Sequence, residues 1–329
     1  MMHHAPLISA YLALCVLSGP SAGQVGTGSP PSQGPYAKAT GSSGAAAASA
    51  AMTGEARLQL GLQQAKREYR RVLIQWGSGG SPWSRALEHQ LRTDGIAARV
   101  RLYYCEFVPF DVDKEPDVAK LASRYRVELR PEMLPLVTIL DGDGRVLATS
   151  RTSDFRWSDK AEDGYDAEKV ADWVLKYKPE CPAAQAVFEQ ALKDALFSNR
   201  QIFLHIGAPY CGPCRRLDAW LALPEVSAII SKDFIDLEID LERMAGGKDI
   251  WKRFCQKPSG IPWFGFLDSK GKVIVDCVAP NGAIGFPTEP GEIQYFVSMV
   301  PKARRSIPDA EVQRLKSLLE QSANGTPSQ

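Results

Sequence analysis

Three shortages in the sequence each exclude a class. Net charge is nearly absent, with 39 Lys and Arg against 38 Asp and Glu over 329 residues. A nucleic-acid binder would carry a basic excess, so no nucleic-acid partner is expected. No apolar run reaches the roughly 18 to 20 residues that a membrane helix needs. The 7 cysteines are too few and too unevenly spaced for a small disulfide-stapled scaffold. What remains is ordinary globular material, 44% hydrophobic and 23% charged. At roughly 150 residues per domain, the length suggests about two domains.

The N-terminus reads as an export signal. Leu7 to Leu17 is a short, largely apolar stretch of signal-core length, although His3 and His4 stand where Lys or Arg is usual. Ser21, Ala22 and Gly23 offer small residues to a peptidase, so residues 1–23 are expected to be a signal peptide cleaved after Gly23. Leu14 is too large for the position before a lipidated Cys15, which leaves lipidation as the lesser alternative. Export to the periplasm, the cell envelope or the exterior follows as the expected location, with a membrane tether through the N-terminus as a variant. Cysteines can pair in such compartments. Residues 24–54 are Gly, Ser, Ala, Pro and Thr with little charge or bulk, and they predict a disordered linker.

The folded part opens at Glu55. Residues 55–71 predict a helix, rich in Leu, Gln, Ala, Lys and Arg, and 71–76 a strand closed by Gly77. Ser81 and Pro82 predict a helix start, Ser at the N-cap and Pro in the first turn. A strand near 107–112, a helix over 117–126 and a hairpin of 136–140 with 145–149 follow. The turn between the hairpin strands, Asp141-Gly142-Asp143-Gly144, lacks the later ligands of a calcium loop and reads as a turn. A helix over 166–177 runs into a linker around Pro179 and Pro182. The same order then repeats. Helix 183–197, strand 201–206, a helix from Cys211, strand 234–239, helix 248–254 and a hairpin of 263–267 with 272–276 are predicted. Helices near 291–300 and over 309–321 close the chain.

The repeat extends to residues. Positions 71–91 lie on 201–221 without a gap, with Gly77/Gly207, Arg85/Arg215, Leu87/Leu217 and Leu91/Leu221 identical. Positions 135–147 lie on 262–274, with Pro135/Pro262, Leu140/Leu267, Asp141/Asp268, Gly144/Gly271 and Val146/Val273 identical.

In the second repeat the strand leads into Tyr210-Cys211-Gly212-Pro213-Cys214-Arg215. A Cys-x-x-Cys that opens a helix is a redox arrangement. The unsatisfied N–H groups and partial positive charge of the helix N-terminus stabilise a thiolate on the first cysteine. Two intervening residues bring the second sulfur within bonding reach, and Gly212 and Pro213 suit the tight turn. A structural zinc would need about four ligands, and only His205 is near in sequence.

This motif, followed by Ile261-Pro262 and a strand hairpin, resembles the thioredoxin family. The His205-to-Tyr210 lead-in and Ile261-Pro262-Trp263-Phe264 resemble the exported bacterial thioredoxin-like proteins in particular. The resemblance covers Ala183 to about Val300 well and residues 55–177 as a degenerate copy. It implies an α/β chain of two tandem thioredoxin folds, each a central mixed β-sheet flanked by helices, over 55–178 and 179–329. It implies that Cys211 is the exposed nucleophile, that Cys214 is the buried resolving thiol, and that Pro262 is a cis-proline facing the pair where substrate backbone docks. Tyr210 stands in place of the family's usual Trp and keeps an aromatic rim. His205 occupies the position of the family's buried Asp, where it is either a proton acceptor or a packed strand histidine.

Ser81 and Ser84 occupy the cysteine positions of the first repeat, so that copy has no disulfide to exchange. Ser81 reads as a helix cap, and a docking role around Pro135 is the alternative. Cys105, Cys181, Cys255 and Cys277 are left as buried thiols or as one or more pairs, Cys255 with Cys277 among them. The expected function is thiol–disulfide exchange outside the cytosol in the reducing direction, with protein thiols and disulfides as substrates. No bound cofactor is required, and a membrane or envelope thiol carrier supplies electrons. A disulfide oxidase or isomerase, or a non-catalytic binding scaffold, are the rival readings.

Overall fold

The computed structural model describes residues 52–93, 95–255 and 259–324. The expected signal peptide at 1–23 and nearly all of the expected linker at 24–54 lie outside the described residues.

Helix α1 (Gly54–Arg67) starts at Thr53, whose side chain accepts the Ala56 N–H at 3.2 Å. Strand β1 (Arg71–Gly77) follows, then α2 (Pro82–Arg92), α3 (Ile96–Tyr104), β2 (Cys105–Asp111) and α4 (Val118–Arg124). The hairpin β3 (Leu136–Leu140) and β4 (Val146–Arg151) and helix α5 (Ala167–Leu175) complete the first half. Its sheet runs β2-β1-β3-β4, with β1 parallel to β2 and the other pairs antiparallel. Such a central sheet buries both faces. Trp76, Phe110 and Leu121 pack on the side of α1 and α4, and Leu73, Leu87 and Val170 on the side of α2, α3 and α5.

The second half repeats this plan. It contains α6 (Ala184–Phe197), β5 (Gln201–Gly207), α7 (Gly212–Leu221), α8 (Pro224–Asp233), β6 (Phe234–Asp240) and α9 (Gly247–Phe254). It continues with β7 (Trp263–Leu267), β8 (Val273–Asp276), a two-stranded ribbon of β9 (Val278–Ala279) and β10 (Gly282–Ala283), then α10 (Pro290–Ala303) and α11 (Asp309–Ala323). The sheet order is β6-β5-β7-β8, with the same parallel and antiparallel pairs. Phe254 stacks on Trp263 and meets Phe188 at a tilt on one face. Phe203, Trp220 and Phe296 meet edge to face on the other. The peptide bonds before Pro135 and Pro262 are both cis. The fold class expected from the sequence, two mixed sheets with helices on both faces, is therefore the architecture observed.

Three elements depart from the sequence reading. Helices α3 and α8 and the β9–β10 ribbon occupy stretches to which no element was assigned. The only disulfide among the described residues joins Cys211 and Cys214. Cys105, Cys181 and Cys277 are thiols, so the Cys255–Cys277 pair that the sequence allowed does not form. Cys277 is buried and accepts the Phe264 N–H at 3.4 Å, while Cys255 Sγ lies 2.9 Å from Ser259 Oγ. Among the described residues, no helix is long and apolar enough to cross a membrane.

The two halves meet at the C-terminal end of α1. Arg67 Nη2 donates to Asp218 O at 3.2 Å, and Arg243 Nη1 donates to Glu68 O at 2.9 Å. These contacts bring Glu68 and Arg70 of the first half towards α7 of the second.

Candidate active site

Strand β5 ends at Gly207 and the chain turns through Pro209 and Tyr210 into α7. Cys211 is the N-cap of that helix, and its sulfur accepts the Cys214 N–H at 3.1 Å. The two sulfurs are bonded at 2.04 Å, with Cα atoms 5.2 Å apart. Gly207 leaves room behind them, since a Cβ there would sit tightly, 3.0 Å from Cys214 Cβ and 3.1 Å from its Sγ. Ile261 O approaches Cys211 Sγ at 3.6 Å, which places the cis bond before Pro262 beside the pair. Tyr210 is 57% exposed on the rim. Cys211 is 7% exposed against 3% for Cys214, so the expectation of an exposed first sulfur is corrected. In the disulfide state the outer cysteine is the more accessible one by a small margin only.

The first half builds the same corner with oxygen in place of sulfur. Ser81 caps α2 and accepts the Ser84 N–H at 3.4 Å, in the geometry of Cys211. Ser84 Oγ accepts the Ser78 N–H at 3.1 Å, and a Cβ on Gly77 would press on Ser84 as one on Gly207 presses on Cys214.

His205 lies on β5 beneath the pair, with both ring nitrogens held. Nδ1 is 3.2 Å from Asp218 Oδ1, and Nε2 is 3.0 Å from Asp236 Oδ1. Burial opposes a charge on the ring, but Asp236 and Asp218 outweigh it and push the imidazole pKa up to about 10. An imidazolium bound on both sides has no free nitrogen with which to take up a proton. The equivalent position in the first half, Gln75, is a buried amide whose Nε2 donates to Ser84 O at 3.0 Å.

A group that the sequence reading passed over stands beside it. Glu238 of β6 pairs in register with His205. Its Oε2 is sealed from solvent and has no hydrogen-bond partner among the described residues. Burial, reinforced by the negative charges of Asp218 and Glu68, pushes its carboxyl up to about 8 against the pull of His205 and Arg67. Glu238 and Cys214 line one cavity of about 30 Å³, which is room for a water molecule. Arg70 and Glu68 of the first half close its far wall. The available signal was the alternation Asp236, Glu238, Asp240, which puts three acids on one strand face beside a histidine. No cluster of three or more His, Cys, Asp or Glu side chains able to hold a metal ion occurs among the described residues.

Comparison with known proteins finds a family match in the second half. Residues 183–269 match the family described as Thioredoxin-like. That span contains the Cys pair, Glu238 and Pro262, so the chain carries a thioredoxin-like domain there. Among solved structures it is similar to a disulphide isomerase from Xylella fastidiosa Temecula1, 26% identical over 28% of this chain and 72% of that one, with a TM-score of 0.26. It is similar to a thioredoxin from Thermus thermophilus, 18% identical over 35% of this chain and 82% of that one, with a TM-score of 0.26. A thioredoxin-fold protein from Helicobacter pylori is 16% identical over 38% of this chain and 85% of that one, with a TM-score of 0.24. No curated protein matches the chain.

Proposed function

We propose that the protein is a thiol–disulfide oxidoreductase that reduces protein disulfides, with its redox centre in residues 179–329 and a redox-inert partner domain in 55–178. The observation that carries this reading is the Cys211–Cys214 bond at the N-terminus of α7, beside Ile261 and Pro262. In the reduced protein, the Cys211 thiolate attacks a client disulfide. The client S–S bond breaks, a Cys211–client bond forms, and one client thiol leaves with a proton. Cys214 then loses its proton into the cavity it shares with Glu238, whose carboxyl takes up a proton only in its ionised fraction, which grows as pH rises towards about 8. The Cys214 thiolate attacks Cys211 Sγ, the second client thiol departs, and the Cys211–Cys214 disulfide is left. His205 is a positioning residue whose charge is held by Asp218 and Asp236. Pro262 and Tyr210 frame the place where client backbone lies.

The reducing direction rests on the Cys-Gly-Pro-Cys sequence, and the location on the export signal read in residues 1–23. In that setting a thiol carrier of the membrane or envelope resets the pair. The full chain is expected to catalyse dithiol-driven reduction of a disulfide-bonded protein, and Cys211→Ser to abolish it. An unchanged rate in that variant would overturn the reading. The low exposure of Cys211 favours one rival, a binding protein with a passive disulfide, in which Cys211→Ser would leave partner binding intact.

A further inference from the structure

The redox helix borders a second, larger space. A cleft of about 830 Å³ lies between the α3 region of the first half and the turn that carries Tyr210 and Arg215. Five arginines and three acids line it, a positive excess. The acids that reach it are already engaged, since Glu68 and Glu106 lie 2.8 and 3.2 Å from Arg70, and Asp218 holds His205 at 3.2 Å. Arg92 is likewise taken, pairing with Glu88 at 2.9 Å and lying over Phe107.

Arg99, Arg101 and Arg215 are left with no carboxylate within 4.0 Å among the described residues. Arg101 Nε donates to Leu91 O at 3.0 Å, and Arg215 Nη1 donates to Pro209 O at 2.7 Å. Backbone carbonyls therefore fix where the Arg101 and Arg215 guanidiniums stand without neutralising them. Burial and the neighbouring Arg70 push Arg101 down to about 10, against the opposing pull of Glu106. A partly buried cation without a counter-ion is a cost to the folded chain, and an anionic ligand removes it. Guanidinium forks suit carboxylates, which they bind through two parallel N–H groups. Tyr103 and Tyr210 add aromatic surface, and Tyr210 adjoins Cys211 in the chain.

We propose that this arginine-lined cleft docks an acidic segment of the client polypeptide next to its disulfide, so that the redox-inert half selects clients for the redox-active half. Naming the occupant a client rests on the oxidoreductase reading, whereas the docking itself does not. The test uses the full chain with its disulfide intact and a short cysteine-free peptide rich in Asp and Glu, carrying an uncharged dye. The control is the same peptide with Asn and Gln. Anisotropy is expected to show the acidic peptide bound at least about tenfold more tightly, more weakly as salt rises, with that preference lost in Arg99→Glu. Arg99 is exposed, which limits the folding cost of the change, and Arg101→Gln is the second variant.

Equal binding of the two peptides, or an Arg99→Glu variant that keeps the preference, would overturn the proposal. So would an inorganic polyphosphate that displaces the acidic peptide and binds more tightly than it. Turnover of a small uncharged disulfide separates the two readings. If it proceeds while the peptide preference is absent, only docking fails. If it is absent while the acidic peptide binds as described, docking stands and the oxidoreductase reading fails.

Discussion

Replacing Glu238 with Gln changes stability with a sign that depends on pH. In the folded chain the Glu238 carboxyl is raised to about 8 from an ordinary 4.5. Its causes are burial and the nearby negative charges of Asp218 and Glu68, opposed by His205 and Arg67. Between these two values the folded state holds a proton that the unfolded state has released, so stability falls as pH rises. Below about 4.5 the group contributes nothing to this slope, and above about 8 the loss is complete. At about 1.4 kcal/mol per pH unit the ceiling is about 5 kcal/mol. Glu238 is half-buried, and water reaching the side chain reduces the figure to about 2–3 kcal/mol. Glu238→Gln cannot ionise and escapes the loss. Urea unfolding followed by circular dichroism, with the disulfide intact, should show the variant equal to the parent near pH 4.5. Near pH 8.5 it should be more stable by about 2–3 kcal/mol. A difference of the same size at both pH values, or a less stable variant at high pH, would refute the reasoning.

His205→Asn should cost about 2 kcal/mol near neutral pH, below the usual toll for breaking a buried pair because the Asp236 side chain is 32% exposed. The raised pKa of His205 means that its stabilisation is complete below about 6.5 and disappears as pH rises through about 10. A parent-to-variant gap that does not close over that window, measured by thermal unfolding, would contradict the charged state assigned here. Cys214→Ser should leave Cys211 able to attack but unable to be released, so client proteins accumulate as dithiol-reversible covalent complexes on non-reducing gels; Cys211→Ser should trap none. Gly207→Ala should lower stability by about 1–3 kcal/mol, because its Cβ would meet the Cys214 side chain at 3.0–3.1 Å. A neutral result would mean that the space behind the disulfide yields freely.

Much of this was legible from residues because the chain says it twice. The gapless block from 71–91 onto 201–221 carries strand, turn and capped helix in both halves, and the hairpins repeat with their Asp and Gly turn residues. Helix α3 escaped because nothing punctuates it. It starts after Gly95 without a side-chain cap, and its last turns carry Val100, Leu102, Tyr103 and Tyr104, residues that equally suit a strand. It then passes straight into β2 at Cys105. Helix α8 likewise runs into β6 at Phe234 with no breaker between them, although Pro224 in its first turn was an available start signal. At the site, the cysteines and Pro262 announce themselves by local pattern. The partners of His205 do not, since Asp218 and Asp236 come from a helix and a neighbouring strand and meet the ring only in the folded chain. The arginine cleft is harder still, because a net charge near zero hides a local excess that forms only when the two halves meet.

The central claim is that Cys211 and Cys214 form an exchanging pair poised for reduction. Its most direct test is the reduction potential of that pair in the full chain, equilibrated against glutathione and a dithiol standard. The account predicts a value near the roughly −270 mV of thioredoxin. A value near roughly −120 to −180 mV would contradict the reducing direction and make the protein an oxidant or isomerase, and a pair that exchanges with neither couple would contradict the redox function itself.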